Sequence, residues 1–407
     1  MRFASGLLAR YRDAFGGLPR LTWLLCVAAF LNRCGSMVLP FLGLYAKEVF
    51  DYSPKQAGVV LSIYGLGAIT GSWLGGLLTD RLGPVRVQVL ALSASGLWMF
   101  GMTRVLEPGW LEAAVFVLAV CNEAFRPGSM SAVAVSCDPA LRRRALSLNR
   151  LMLNAGWAFG PTIGGMLVSI DYSLMFWADG GTCLLAAAFL AFGLGGFSPR
   201  AVPRHPDERP GRPFRDRYFV WLMLANLIVM LAFMQYFTTG ARAWNDHGYG
   251  EATIGWFVAV NPIVIVLFEM LVVHGLRDRA PLPVIAVGSL VVALGYLVLL
   301  LPFGAAGIMI AMAIVAGGEL LQMPLLAAHV NDHAPAHARG AYNGAYGMCF
   351  SAGHVVAPLL GGWLYDDYGQ AALWWICGGL GALGAVMFWT ASRSPQARAG
   401  TPQAGNS

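Results

Sequence analysis

The segment GSWLGGLLTDRLGPVRV, residues 71–87, joins two apolar runs through a charged turn. Three glycines lie near the end of the first run, Asp80 and Arg81 follow side by side, and Gly83-Pro84 precedes the second run. A short charged turn between two apolar runs of about 20 residues is typical of two membrane helices and the loop that joins them. The segment therefore predicts a chain that crosses a membrane more than once.

The composition of the whole chain supports a membrane protein. Of its 407 residues, 57% are hydrophobic and only 12% are charged, and the mean hydropathy is +0.61. In soluble domains, about a quarter of all residues are charged. We therefore predict an all-α protein of twelve transmembrane helices in a lipid bilayer, with no separate water-soluble domain. The predicted spans are 21–45, 56–79, 86–104, 111–136, 148–169, 173–195, 218–240, 253–275, 282–301, 305–328, 341–364 and 371–391.

The basic residues predict the orientation of these spans. Of the 27 lysines and arginines, 21 lie before the first span or in segments on the same side of the membrane, and four lie in the opposite loops. Lysine and arginine accumulate on the cytoplasmic side. Both termini are therefore expected in the cytoplasm, with the chain in the cytoplasmic (inner) membrane. The basic residues are scattered over loops, so no nucleic-acid partner is expected.

The two halves of the sequence are related by a constant offset of 197 residues. Matching pairs include Gly58 and Gly255, Pro84 and Pro281, Pro127 and Pro324, Pro161 and Pro358, Gly164-Gly165 and Gly361-Gly362, and Trp177 and Trp374. The offset predicts two pseudo-symmetric six-helix bundles, residues 1–196 and 218–407 with a short C-terminal tail, joined by a cytoplasmic linker at 197–217. Parallel repeats of this kind are typical of transporters whose site lies near the membrane midplane between the halves.

Residues 76–83, GLLTDRLG, resemble the G-x-L-a-D-r-x-G signature between the second and third helices of the major facilitator superfamily. The resemblance covers the whole chain and implies the fold of that superfamily, with alternating access. It also implies that residues 76–86 form a conformational latch, in which a carboxylate at a helix end meets the N-terminus of a facing helix. The latch residues are Gly76, Asp80, Arg81, Gly83 and Arg86. Pro84 and Val85 stand where the signature usually continues with basic residues, so a weaker latch is expected.

A second motif lies in the fifth span. Residues 156–165, GWAFGPTIGG, resemble the G-x-x-x-G-P-x-x-G-G signature of the antiporter branch of the superfamily, most of all drug:proton antiporters, and imply export. Its residues are Gly156, Gly160, Pro161, Gly164 and Gly165. The glycines allow close helix packing and the proline bends the helix. The eleventh span is the expected packing partner. Ordinary helix packing is the alternative explanation.

Ionisable residues near the middle of a span indicate function, because each costs about 2.5–3.5 kcal/mol at the bilayer centre. Arg33, Glu123, Arg126 and Glu319 hold such positions, and the resemblance places all four on helices that line a central cavity. We predict that Glu123 or Glu319 carries a proton, with Arg33 and Arg126 as counter-charges or substrate contacts. A permanent Glu123–Arg126 ion pair is the alternative, as is a structural hydrogen bond for Glu319. Further substrate contacts are expected from Asn32, His354, Gln322, Tyr64 and Tyr236, and Asp179 is expected to be solvated.

The sequence contains no motif of an enzyme, a nucleotide site or a metal site. His329, His333 and His337 are spaced by four, but Pro335 interrupts the spacing, so neither a metal nor another cofactor is expected. The proton gradient is then the expected energy source, and small-molecule substrates, protons and lipid are the expected partners of a monomer. Proton-coupled export of amphiphilic, drug-like compounds is the first hypothesis. Proton-coupled or facilitative import of a metabolite, such as a peptide or organic anion, is the second, and a non-transporting receptor or partner subunit is the third.

Overall fold

The computed structural model describes residue 13 and residues 16–52, 54–104, 108–194, 211–236, 238–249 and 251–395. All the regular secondary structure in these residues is helical. The α-helices are α1 Arg20–Cys34, α2 Val38–Phe50, α3 Pro54–Leu82, α4 Pro84–Met102, α5 Pro108–Val135, α6 Arg142–Val168, α7 Tyr172–Gly193, α8 Arg217–Phe233, α9 Thr239–Asp246, α10 Glu251–Gly275, α11 Pro281–Val298, α12 Gly304–His333 and α13 Arg339–Ser392. Short 3₁₀ turns lie at Pro139–Leu141, Pro213–Arg215, Met234–Tyr236 and Ala336–Ala338.

Proline and glycine set several helix boundaries. Helices α3, α4, α5 and α11 each begin with a proline, whose fixed φ suits the first helical position and whose missing N–H is not needed there. Gly83 separates α3 from α4 with a φ of 91°, which a residue with a Cβ rarely adopts. Gly369 has a φ of 81° and interrupts α13 between the eleventh and twelfth predicted spans.

Nine helical regions among the described residues are long and apolar enough to cross a membrane. One of them, Ala336–Ser392, contains both the eleventh and the twelfth predicted spans. The fourth and fifth predicted spans are helical, as α5 and α6, but fall outside the nine. Helix α5 carries Glu112, Glu123 and Arg126, and α6 begins with three arginines and contains side chains that the structure does not describe. The count of twelve spans therefore remains a prediction.

The chain forms two compact units. One unit contains Gly17–Gly211 and Ala334–Ser351, and the other contains Met1–Gly16, Arg212–His333 and Ala352–Ser407. The start of α13 thus clusters with the helices of the first half of the sequence. The division into bundles at 1–196 and 218–407 stays a prediction.

In the first unit, glycines bring α3 and α5 into close contact. A methyl group on Gly67 would lie 2.6 Å from the Phe116 carbonyl oxygen, and one on Gly75 would lie 2.5 Å from the Ala124 carbonyl oxygen. Gly71, midway between them, faces the backbone of Val120. Small residues spaced by four form one face of a helix and let two backbones approach without hydrophobic side chains between them. This contact holds α5, and Glu123 with it, in a fixed position against α3.

The repeat seen in the sequence recurs in the helix contacts. In the first unit, a methyl group on Gly156 of α6 would lie 2.7 Å from the Cβ of Arg33 on α1. In the second unit, one on Gly353 of α13 would lie 3.4 Å from the Cβ of Met230 on α8. Both members of the second pair are offset by exactly the repeat length from those of the first, so the two units use the same helix pairing.

The first predicted span of each half is broken at nearly equivalent positions. Helix α1 ends at Cys34 and α2 begins at Val38, while α8 ends at Phe233 and α9 begins at Thr239 after a 3₁₀ turn. A break within a membrane helix leaves backbone N–H and C=O groups that need other partners. The partners found at the first break involve the candidate site described next.

Candidate functional site

One buried carboxylate and two arginines lie together in the first unit. Oε1 of Glu123 is 3.9 Å from Nη2 of Arg33, and its Oε2 is 3.4 Å from Nε of Arg126. Glu123 is only 8% exposed. Arg33 comes from the last turn of α1, whereas Glu123 and Arg126 share one face of α5. The structure thus brings together three of the four mid-span charges that the sequence predicts, in a group we name the Glu123 cluster.

The Glu123 cluster has aromatic and amide neighbours. The guanidinium of Arg126 lies over the ring of Phe350, 5.2 Å from its centroid, which is within the range of a cation–π contact. Tyr64 is in electrostatic range of Arg33 and Glu123, and its hydroxyl is 3.5 Å from Nδ2 of Asn122. Tyr64 is therefore placed beside the charges, as the sequence analysis expects of a site residue.

The charges of the Glu123 cluster do not balance. With all three groups ionised, the two arginines exceed the carboxylate by one positive charge. The ion-pair distances are long compared with 2.7–2.9 Å for a tight charge-assisted hydrogen bond. An arrangement of this kind can exchange partners: a proton on Glu123, or an anionic group of a ligand, would change which charge each arginine faces.

Glu319 lies in the second unit among neutral amides. Nδ2 of Asn261 donates to Oε2 of Glu319 at 2.7 Å. One turn further along α12, Gln322 Nε2 is 3.5 Å from Oδ1 of Asn226, and Ser289 donates to Gln322 at 3.4 Å. All five residues are buried. The structure therefore surrounds this carboxylate with a polar network formed by α8, α10, α11 and α12 of the second unit.

Asp80 caps the start of α13 inside the first unit. Its Oδ1 accepts from the backbone amide of Gly340 at 2.6 Å and its Oδ2 from that of Ala341 at 2.7 Å. A methyl group on Gly76 would lie 2.5 Å from the carbonyl oxygen of Gly340, so this contact requires glycine. The side chains of Arg81 and Arg86 are exposed. The contact has the geometry that the motif implies, and its role as a conformational latch stays a prediction.

The glycines of the second motif pack on the first predicted span within their own unit. Gly156 faces Arg33 and Phe30, Gly160 faces the carbonyl of Ser36, and Gly164 and Gly165 face Phe41. Helix α6 therefore supports α1 at the point from which Arg33 projects, and also the break that follows it. The eleventh span was the partner expected from the sequence, and the contact with the first span was not predicted. The side chain of Pro161 lies outside the described residues.

The remaining site candidates are dispersed. Asn32 is buried and accepts from the thiol of Cys183 at 3.6 Å. Tyr236 is fully buried against Phe233 in the second unit, with ring centroids 5.3 Å apart. His354 is exposed on α13. Asn32 therefore belongs to the first unit, and Tyr236 and His354 belong to the second.

Asp179 is the main residue that the sequence analysis assigned wrongly. It was expected to be solvated, but only 3% of it is exposed. Its Oδ2 accepts from the backbone amides of Met37 and Val38 at 3.1 and 3.2 Å. An acidic residue one turn or more inside an apolar helix, next to Gly180-Gly181, was the available signal. Asn261 was also missed, although an amide before Pro262 in an apolar span is unusual.

The structure offers no metal site among the residues it describes. Tyr218 Oη lies 2.9 Å from Nε2 of His329, and His333 Nε2 lies 2.7 Å from Oδ2 of Asp216. These histidines therefore take part in hydrogen bonds at the end of α12. All seven cysteines are free thiols.

Comparison with known sequences gives long matches at low identity. A family profile described as Major Facilitator Superfamily matches residues 25–358 and, in a second match, residues 241–406. The MFS-type transporter YttB of Bacillus subtilis (strain 168) is 26% identical over 367 residues, which cover 88% of this chain and 91% of the relative. The multidrug resistance protein MdtH of Klebsiella pneumoniae (strain 342) is 24% identical over 358 residues, covering 86% of this chain and 88% of the relative.

Solved structures share the fold. The crystal structure of the transporter FucP in the outward conformation has a TM-score of 0.75 at 15% identity, covering 92% of this chain and 99% of that one. The crystal structure of the human organic anion transporter MFSD10 has a TM-score of 0.71 at 13% identity, covering 91% and 99%. At such low sequence identity, the similarity shows a shared fold and nothing about substrate or direction of transport.

Proposed function

The chain belongs to the Major Facilitator Superfamily, and on that premise we propose that it exports small amphiphilic compounds in exchange for protons across the cytoplasmic membrane. The chain is a multi-pass membrane transporter of this superfamily. The predictions of an all-α membrane fold of this type and of a transporter, not an enzyme, are confirmed. Direction, substrate class and proton coupling are the proposed part, together with the cytoplasmic position of both termini.

The Glu123 cluster is the observation that carries the proposal. Burying a carboxylate and two arginines in a membrane protein costs free energy, so such a group is expected either to have a function or to form a permanent ion pair. Its long ion-pair distances favour exchange of partners over permanent pairing. In the proposed cycle, Glu123 takes a proton from the outside and an arginine loses its counter-charge. Substrate and proton then compete for the same charged groups, which couples their movement in opposite directions.

Export of drug-like compounds is supported by two further observations. The relative MdtH carries the name multidrug resistance protein, and the motif at residues 156–165 resembles that of the antiporter branch. The glycines of this motif pack directly on the segment that carries Arg33. The motif at residues 156–165 is therefore in direct contact with the segment that positions Arg33 in the Glu123 cluster.

Everted membrane vesicles test this function, with ethidium as the probe. An acidic vesicle interior drives protons out and, for an exporter of this kind, ethidium in. Glu123→Gln should abolish the gradient-driven accumulation while leaving the amount of folded protein unchanged. Glu112→Gln is the matched control, because Glu112 lies on the same helix and accepts a hydrogen bond from Tyr52 at 2.8 Å, away from the cluster. Accumulation by Glu123→Gln equal to that of the control would refute the role of Glu123.

An organic anion is the second candidate substrate, and the excess positive charge of the Glu123 cluster favours it. In this case a carboxylate or sulfonate of the substrate would pair with Arg33 or Arg126. Gradient-driven movement of carboxyfluorescein, with no movement of ethidium, would select this candidate. Arg33→Gln should then weaken carboxyfluorescein binding, and Arg242→Gln, on an exposed arginine paired with Asp366, should not.

A further inference from the structure

Asp179 supplies the cap of a helix to which it does not belong. Helix α2 begins at Val38, and no side chain near its start caps it. Oδ2 of Asp179, 142 residues away on α7, accepts from the amides of both Met37 and Val38. A carboxylate at a helix N-terminus is favoured by the helix dipole and makes charge-assisted hydrogen bonds. The negative charge of Asp179 therefore holds the break in the first predicted span.

The packing around the break allows Asp179 to reach it. Gly35 lies directly against Thr182, one turn along α7 from Asp179, and a methyl group at Gly35 would overlap the Thr182 side chain. On the other side of α7, Gly180 packs against Gly96 and Phe100 of α4. Helix α7 thus packs between α4 and the break, and this packing holds the Asp179 carboxylate next to the amides of Met37 and Val38.

Asp179 also completes the charge balance of the Glu123 cluster. Arg33 is in electrostatic range of Glu123, Arg126, Tyr64 and Asp179. Two arginines and two carboxylates sum to zero, whereas the Glu123 cluster alone carries one excess positive charge. Among the described residues, the other ionisable groups facing Asp179 are Tyr64 of α3 and Cys183 of α7, both of which are neutral when protonated. The contacts that α4 makes with α7 at Gly180 come from Gly96 and Phe100, which do not ionise.

We propose that Asp179 is a positioning residue for proton coupling: it fixes the break beside Arg33 and serves as the second counter-charge of that arginine. When Glu123 takes up a proton, Arg33 keeps one negative neighbour, and the four groups carry a net charge of +1 instead of the +2 they would carry without Asp179. The break thus links a backbone contact to the ion pair that we assign to coupling. The second half of the chain has Ile376 at the equivalent position, which carries no charge.

The assignment of Arg33 and Glu123 to coupling rests on the proposed function, but the cap and the counter-charge can be tested without transport. Asp179→Asn keeps an oxygen acceptor and removes the charge. It should lower the melting temperature of the purified full-length protein by about 2–4 °C. Asp171→Asn is the matched control, because Asp171 caps its own helix, α7, at an exposed position and asparagine caps as well as aspartate there. An unchanged or raised melting temperature in Asp179→Asn would show that the charge of Asp179 does not stabilise the break, and an unchanged one in Asp179→Ala, which also removes the acceptor, would overturn the capping role.

A double-mutant cycle tests the link to Arg33. If the two charges interact, the loss of melting temperature in the Asp179→Asn/Arg33→Gln double variant should be smaller than the sum of the two single losses. The Asp171→Asn/Arg33→Gln pair should be additive. Additive losses in both pairs would remove the counter-charge role even if the cap is confirmed.

The pH profile of ethidium transport tests the link to coupling. Asp179→Asn should shift the midpoint of proton-driven transport to lower pH, because removing a negative charge beside the arginines makes protonation of Glu123 harder. Asp179→Glu should restore the wild-type profile. An unshifted midpoint in Asp179→Asn would overturn the positioning role. A different outcome is non-additive losses of melting temperature in the Asp179→Asn/Arg33→Gln cycle, in a protein that transports neither ethidium nor carboxyfluorescein. That outcome would refute the proposed function but keep the structural role of Asp179.

Discussion

The carboxylate of Asp80 lies 2.6 Å from the backbone nitrogen of Gly340, although 260 residues separate the two in the sequence. Asp80 lies in the last turn of α3, and Gly340 is the second residue of α13. A turn motif of the first half of the chain therefore holds the start of a helix from the second half, within one compact unit.

Asp80→Asn should weaken this contact. The amide side chain cannot give both backbone N–H groups an oxygen and carries no charge, so we expect a loss of about 1–2 kcal/mol of unfolding free energy. Thermal unfolding of the purified protein measures it. Asp278→Asn is the control: Asp278 lies next to Arg277, the repeat counterpart of Asp80, and its side chain is 87% exposed. Equal effects of the two substitutions would contradict the capping role of Asp80.

Gly76→Ala should disturb the same contact by crowding alone. The new methyl group would lie 2.5 Å from the carbonyl oxygen of Gly340, and both atoms belong to backbone-supported positions that move little. Overpacking of this kind costs about 1–3 kcal/mol. Gly101→Ala, in the last turn of α4 with nothing within 4 Å of the added methyl group, should be neutral or stabilising by up to about 1 kcal/mol. The prediction fails if both alanines shift stability in the same direction.

Gly156→Ala and Gly353→Ala form a test pair provided by the repeat. The methyl group at Gly156 would lie 2.7 Å from the Cβ of Arg33, whereas the one at Gly353 would lie 3.4 Å from the Cβ of Met230. We expect a loss of about 1–3 kcal/mol for the first substitution and little change for the second. Ethidium transport should fall only in Gly156→Ala, because only that glycine supports Arg33. A larger loss in Gly353→Ala would show that the two contacts are not related as described.

Glu319→Gln separates a proton-carrying role from a structural one. Glutamine can still accept from Asn261 through its oxygen, so the melting temperature should change little. Gradient-driven ethidium accumulation should nevertheless fall if Glu319 carries a proton. Ser289→Ala serves as the control, because it removes the hydrogen bond to Gln322 in the same network, at a cost of about 1 kcal/mol, without touching a charge. Full accumulation in Glu319→Gln would leave Glu319 as a structural residue.

Much of the fold could be predicted from the sequence because a bilayer restricts the possible structures. Apolar runs of about 20 residues become helices, since unpaired backbone groups are too costly in lipid. The structure contains contacts of Gly156 and Gly353 that are related by the same offset, but the sequence predicted a different partner, the eleventh span, for the motif of Gly156. The fourth and fifth predicted spans correspond to helices α5 and α6, although α5 carries the charged residues Glu123 and Arg126 in its interior.

The candidate site was predicted only in part, for a physical reason. Helical spacing places Glu123 and Arg126 on one face of α5, and a mid-span position drew attention to Arg33. The role of Asp179 depends instead on a break in another helix, 142 residues away. Neither the position of that break nor the glycine contact that brings α7 to it can be read from local sequence, so a capping residue was mistaken for a solvated one.

Arg33 and Met230 occupy equivalent positions in the repeat, and so do Arg126 and Met323. Arginine presents a flexible, unbranched hydrocarbon stem to its neighbours, and methionine has nearly the same shape without the guanidinium. The duplicated framework therefore tolerates either side chain at these points. A single substitution can therefore add or remove a positive charge in one half of the chain while the helix packing around that position is kept.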